Sequence, residues 1–150
     1  MYKRIVVGVD GSPTARAALA QAIALAKELG ALLHVVTAYR SGAQVTALAV
    51  DPVGAVVGAG AAIAEEDLRG EADAILAEAA GEATAAGVGV ETSALAEDAS
   101  EAILDTAERI DADLIIVGNR GMTGAKRLLG SVPNRVAHHA ACSVMIVHTA

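Results

Sequence analysis

The chain has no phenylalanine, no tryptophan and only two tyrosines, Tyr2 and Tyr39. Without aromatic faces it offers no stacking platform for single-stranded nucleic acid. Core volume therefore falls to Val, Ile, Leu and 36 closely packed alanines. A single cysteine, Cys142, excludes an internal disulfide framework and any Cys-x-x-Cys metal or redox site. Positive charge is scarce: 11 Lys and Arg stand against 18 Asp and Glu, for a formal net charge of -7. That balance excludes a general binder of DNA, RNA or anionic membranes. A long uninterrupted apolar run is also missing. Residues 42–64 are hydropathic, but Asp51-Pro52 cuts them and Gly54, Gly58 and Gly60 loosen them. A membrane span needs about 20 consecutive apolar residues. The stretch at about 40–64 is expected instead to be a long flexible insertion. The first nine residues are too short for a secretory signal and run into a turn, so a cytoplasmic location is expected.

What the sequence does have is hydrophobic residues, at 54% of 150, which is enough for the core of one domain over residues 1–150. They are arranged as strands alternating with helices. Residues 4–9 form a β-branched run suited to a strand buried on both faces. Asp10-Gly11-Ser12-Pro13 breaks it, with Ser12 able to cap a helix and Pro13 fitting the first turn. Ala15, Leu19, Ile23 and Ala26 recur at helical spacing, and Gly30 is a natural stop. Residues 32–38 read as a second strand. Leu68, Ala72, Ile75 and Ala79 mark a second helix that ends near Gly87, and residues 88–94 a third strand. Asp98 with Glu101 three residues on resembles a capping box, and Ala99, Ile103, Ala107 and Ile110 stripe the helix that follows. Residues 114–118 form the clearest strand. A helix over about 131–140 and a fifth strand over 143–148 close the chain. This alternation predicts a single open five-stranded parallel sheet with helices on both faces; the strand order expected is 3-2-1-4-5. Ligands of such sheets sit beyond the carboxyl ends of the strands, where the winding reverses. The loops after the first and fourth strands are therefore expected to be neighbours.

The second of those loops carries the chemistry. Gly118, Gly121, Gly124 and Gly130 let the backbone approach an anion closely, and Gly130-Ser131 opens the last helix, where amides and a hydroxyl face outward. Arg120, Lys126 and Arg127 add positive charge. The set suits a phosphate ester, although a glycine-rich connection without a ligand has the same composition. Neither a Gly-x-x-x-x-Gly-Lys-Ser/Thr run nor a Gly-x-Gly-x-x-Gly after the first strand is present, which disfavours P-loop and dinucleotide-binding proteins. His138-His139 are adjacent on a helix and point about 100° apart, a poor metal pair. Cys142 has no basic activator nearby in sequence, and Ser12 reads as a cap rather than a nucleophile. No metal site and no catalytic residue are expected.

Val-Gly-Val-Asp-Gly-Ser at the start, residues 112–118, the stretch from Gly118 to Val136 and the closing Cys-Ser-Val-Met-Ile-Val-His resemble the universal stress protein family. The nucleotide-binding branch of that family has Gly-x-x-Gly, nine residues, then Gly with Ser, Thr or Asn; here the spacer from Met122 to Leu129 is eight. The resemblance implies a Rossmann-like fold of the adenine nucleotide alpha hydrolase type. It also implies an ATP site, with or without magnesium. Gly8, Val9 and Asp10 would line the adenosine pocket, Val35 would flank the adenine and Val117 would pack near the nucleoside. Gly118, Arg120 and Gly121 would approach ribose and phosphates, and Gly130, Ser131 and Val132 would hold the phosphate tail. Pro133 stands where the family often has a hydroxyl and lacks an amide donor. The implied function is a nucleotide-responsive stress regulator with at most slow hydrolysis. Alternatives are cAMP or AMP in the same pocket, or a nucleotide-free interaction module. A homodimer through the last strand, about 143–149, is the implied protein partner.

Overall fold

The computed structural model describes residues 1–40, 57–119 and 131–149. Among them run β1 (Arg4–Gly8), α1 (Pro13–Leu29), β2 (Leu32–Ala38), α2 (Val57–Ala85) and β3 (Val90–Leu95). There follow α3 (Ala99–Arg109), β4 (Leu114–Gly118), α4 (Val132–His139) and β5 (Ser143–Val147). The strands form one five-stranded sheet of order β3-β2-β1-β4-β5, the predicted order. Every neighbouring pair is parallel, with Val7 opposite both Val35 of β2 and Ile116 of β4.

Successive strand residues point to opposite faces, and this divides the core in two. Ile5, Val7, Leu33, Val35, Leu114 and Ile116 pack against α1 and α2. Val6, Val36, Ile115 and Val117 pack against α3 and α4. Alanine supplies much of the helix surface in the first layer, through Ala18, Ala22 and Ala26 of α1 and Ala79 and Ala83 of α2. The methyl side chains let these helices lie close on the β-branched sheet.

Helix ends follow local chemistry. Ser12 caps α1 by accepting from the amide of Ala15 at 3.2 Å, and Pro13 opens the helix. Gly30 closes it in the left-handed conformation, φ 63°, with its amide on the carbonyl of Ala26. Asp98 caps α3 by accepting from the amide of Ser100 at 3.2 Å. At the amino end of the sheet the Asp113 carboxylate accepts from the amides of Lys3 at 2.7 Å and Arg4 at 2.9 Å, and so sets β1 against β4. These backbone donors hold the Asp113 carboxyl below its usual range.

The second helix starts earlier than its spacing predicts. Residues 57–64, counted above in the insertion, belong to α2. Gly58 and Gly60 read as helix breakers, yet Ala59, Ala61, Ala62 and Ala64 are the strongest of helix formers and offset them. The remainder of that segment, 41–56, lies outside the described residues. Among the described residues no helix is long and apolar enough to cross a membrane.

Candidate functional site

The order 3-2-1-4-5 places the reversal of winding between β1 and β4. A cavity of about 120 Å³ opens there at the carboxyl ends of the strands. Gly8, Val9, Asp10 and Ser12 line it from β1 and the turn after it, and Val117 and Gly118 from β4. The loops after the first and fourth strands thus meet across one space. Val36, Ala38, Ala99 and Ile103 make an apolar wall, and Val132 and Pro133 close the side toward α4. The amino ends of α1, α3 and α4 all face this space, each with the positive end of its dipole.

Most of the residues named from the sequence come together here. Gly8, Val9, Asp10, Val117, Gly118 and Val132 are in the wall. Ser131 sits beside them as the residue before α4. Its hydroxyl does not cap the helix; it is buried and has no hydrogen-bond partner among the described residues. Buried hydroxyls ordinarily find partners, so this oxygen has a hydrogen-bonding capacity at the head of α4 that none of the described residues meets. Arg120, Gly121 and Gly130 lie outside the described residues. Val35 is not in the wall. It is fully buried on the opposite face, with Ile5, Val7 and Leu33, and the period of two gives the cavity to Val36 instead.

Two glycines shape the space. A Cβ on Gly8 would stand 2.5 Å from Cδ1 of Ile103. A Cβ on Gly118 would stand 2.6 Å from the carbonyl oxygen of Thr14, so β4 and the first turn of α1 meet only because this residue has no side chain. Gly11 takes φ 78° in the turn between β1 and α1, where Asp10 Oδ1 accepts from the amide of Ser12 at 2.9 Å. The hydroxyls of Ser12 and Thr14 share a hydrogen bond at 3.2 Å.

On the far side, Arg135 of α4 donates to Asp98 at 3.1 Å and approaches Glu101 at 3.9 Å, which clasps α4 to the head of α3. The Asp98 carboxyl is held below its usual range, first by the Ser100 hydroxyl and with help from Arg135. Cys142 is half-buried, and burial pushes its thiol up, away from reactivity. Among the described residues no group of three or more His, Cys, Asp or Glu is placed to hold a metal ion.

Sequence reasoning missed Ile103, Ala99, Val36 and Thr14 as lining residues. Ala99 and Ile103 read as a core stripe and Val36 as part of a strand, while Thr14 carries no signal of its own. The available signal was topological: in a parallel α/β sheet every helix begins at the carboxyl edge, so first-turn residues such as Ala99 and Thr14 face the ligand side.

An open parallel sheet with helices on both faces and a cavity at its switch point places the chain among Rossmann-like α/β proteins. The chain belongs to the universal stress protein family, whose model matches residues 1–148. It is 35% identical over 152 residues to universal stress protein MJ0531 of Methanocaldococcus jannaschii, an alignment covering 98% of this chain and 82% of that one. Among solved structures it is similar to a universal stress protein in complex with cAMP, at 35% identity and TM-score 0.74, covering 99% of this chain and 98% of that one. It is also similar to the universal stress protein of Archaeoglobus fulgidus in complex with dAMP, at 26% identity and TM-score 0.69, covering 97% of each chain.

Proposed function

We propose that this chain binds an adenine nucleotide in the cavity between β1 and β4 and acts in the cytoplasm as a nucleotide-responsive regulator rather than a fast enzyme. The observation that carries this reading is the Ser131 hydroxyl, buried without a described partner at the head of α4, beside an apolar cavity. A helix amino end with a spare hydroxyl suits a phosphate, and the apolar wall of Val36, Ala38 and Ile103 suits a base. In this reading Gly8, Val9, Asp10 and Val117 contact the nucleoside. Gly118 with Arg120 and Gly121 borders ribose and phosphates, and Gly130, Ser131 and Val132 hold the phosphate. The likeness to proteins crystallised with cAMP and with dAMP supports an adenine nucleotide as the ligand class.

The glycine motif points to ATP, with or without magnesium. Two features favour a ligand with a single phosphate group, cAMP or AMP. Pro133 stands in the cavity wall within the first turn of α4 and has no amide to donate. The spacer before Gly130-Ser131 is also one residue short of the family pattern. Both features leave fewer donors for a triphosphate tail. The protein partner in this reading is a second copy of the chain, paired through β5. Edge strands carry unpaired backbone groups, and Ile146 on β5 is, with Met1, one of two exposed large apolar side chains among the described residues.

Calorimetry with ATP, ADP, AMP, cAMP and adenosine, each with and without magnesium, tests the proposal. Micromolar binding is expected for at least one nucleotide. Ser131→Ala should weaken phosphate-bearing ligands about 10- to 150-fold, the cost of one lost hydrogen bond to a charged group, and leave adenosine unchanged. Tightest binding of ATP assigns the triphosphate; cAMP or AMP binding at least as tightly assigns the single phosphate. No heat with any nucleotide, and none released from the purified protein, overturns the reading and leaves a nucleotide-free dimeric module.

A further inference from the structure

Asn119 is the second residue of the glycine motif and follows Gly118 in the cavity rim, yet its side chain is spent elsewhere. It is 6% exposed. Its Oδ1 accepts from the amide of Thr149 at 3.1 Å and from the Thr149 hydroxyl at 2.8 Å. Its Nδ2, which can only donate, lies 2.9 Å from Nδ1 of His148 and 3.4 Å from the carbonyl of Thr149. The His148 Nδ1 therefore accepts, which places the proton of the neutral ring on Nε2. The Asn119 amide also donates to the carbonyl of Val147 at 3.0 Å, so pairing with β5 continues one residue beyond Gly118 and Val147. Reversing the carboxamide would set its NH₂ against the Thr149 amide, so the network fixes the orientation of Asn119 as well as its place.

We propose that Asn119 is a positioning residue: it ties His148 and Thr149, which follow β5, to the point where the chain leaves β4, and thereby makes the affinity of the cavity depend on the outer end of the sheet. Asn119 itself is buried and the tie uses every polar atom of its side chain, which holds that side chain in one orientation. Gly118 is both a wall of the cavity and the residue packed on Thr14, so a shift at Asn119 reaches the ligand side and the first turn of α1 together. His148 and Thr149 are themselves outside the cavity wall among the described residues. The affinity arm of this inference rests on the adenine-nucleotide reading above.

Three variants test it: Asn119→Ala, Thr149→Pro, which removes the amide and the hydroxyl that Oδ1 accepts, and the two combined. Calorimetry with AMP and cAMP should show affinity lowered about 2- to 30-fold in each single variant, the span that coupled residues produce without touching a ligand. The combined variant should lose no more than Asn119→Ala alone, because both act through one tie. Unchanged affinity in Thr149→Pro, or losses that multiply in the combined variant, would overturn the proposal. Hydrogen exchange on the ligand-free chain supplies the second readout. The amides of Gly118 and Asn119 should exchange faster in Thr149→Pro than in the parent chain. Should the parent chain bind no nucleotide, the reading of function fails, and the exchange result decides this inference alone: unaltered exchange at Gly118 and Asn119 refutes it.

Discussion

A methyl group at Gly118 would press on the carbonyl oxygen of Thr14 at 2.6 Å, a backbone atom that cannot turn aside, whereas one at Gly8 would meet the terminal methyl of Ile103 at 2.5 Å. The two substitutions should therefore fail differently. Gly118→Ala is expected to destabilise the fold by about 1–3 kcal/mol, the usual cost of overpacking, because β4 and α1 must separate. Gly8→Ala should cost less in stability, since the Ile103 side chain can swing, but the side chain would swing into the cavity and weaken ligand binding. Thermal denaturation with nucleotide calorimetry on both variants checks this; equal melting temperatures would contradict it. At this scale the sequence was legible where chemistry is local. Ser12, Gly30 and Asp98 do at the helix ends what their residue types suggest. Val35 was not, because choosing between it and Val36 needs the phase of the strand, and a run buried on both faces conceals that phase.

Among the elements, the β2–β3 pair holds the one buried histidine among the described residues. His34 of β2 is 3% exposed; its Nε2 hydrogen-bonds the Ser93 hydroxyl at 2.8 Å, and a Glu91 carboxylate oxygen stands 3.5 Å from Nδ1. Burial, aided by Arg109, holds its pKa below the ordinary 6.5 and outweighs the opposite pull of Glu91. The unfolded chain then takes up this proton before the folded one does as pH falls. The stability tied to neutral His34 is complete above pH 6.5 and is lost as pH drops through the lower folded-state value. Denaturant midpoints between pH 8 and pH 5 should fall with acidification, and His34→Gln should flatten that slope. An identical slope in the variant would contradict the assignment. Elements with clean punctuation, such as α1, β2 and β4, have the bounds their sequences suggest. The start of α2 did not show, because alternating Gly and Ala give no apolar stripe to mark a helix.

For the whole molecule, alternation of strands and helices was enough to derive an open parallel sheet with helices on both faces, and the expected order 3-2-1-4-5 is the one observed. The two strand ends that meet at the cavity were legible for the same reason. The share of the wall contributed by α3 was not, because the packing of a helix over the sheet is set by contacts distant in sequence, such as Ile103 against Gly8. The homodimer proposed through β5 makes its own prediction. Ile146→Asp places a charge on the exposed edge, and light scattering should show a dimer in the parent chain and a monomer in the variant, with nucleotide affinity retained. A parent chain that is monomeric at high concentration would contradict that surface. The location of the ligand is tested most directly by amide NMR shifts during titration with AMP and with cAMP. The largest changes are expected at the non-proline residues of 8–14, 117–119 and 131–134, around the carboxyl ends of β1 and β4. Changes confined to the amino edge of the sheet, near Gly30 and Gly87, would contradict it.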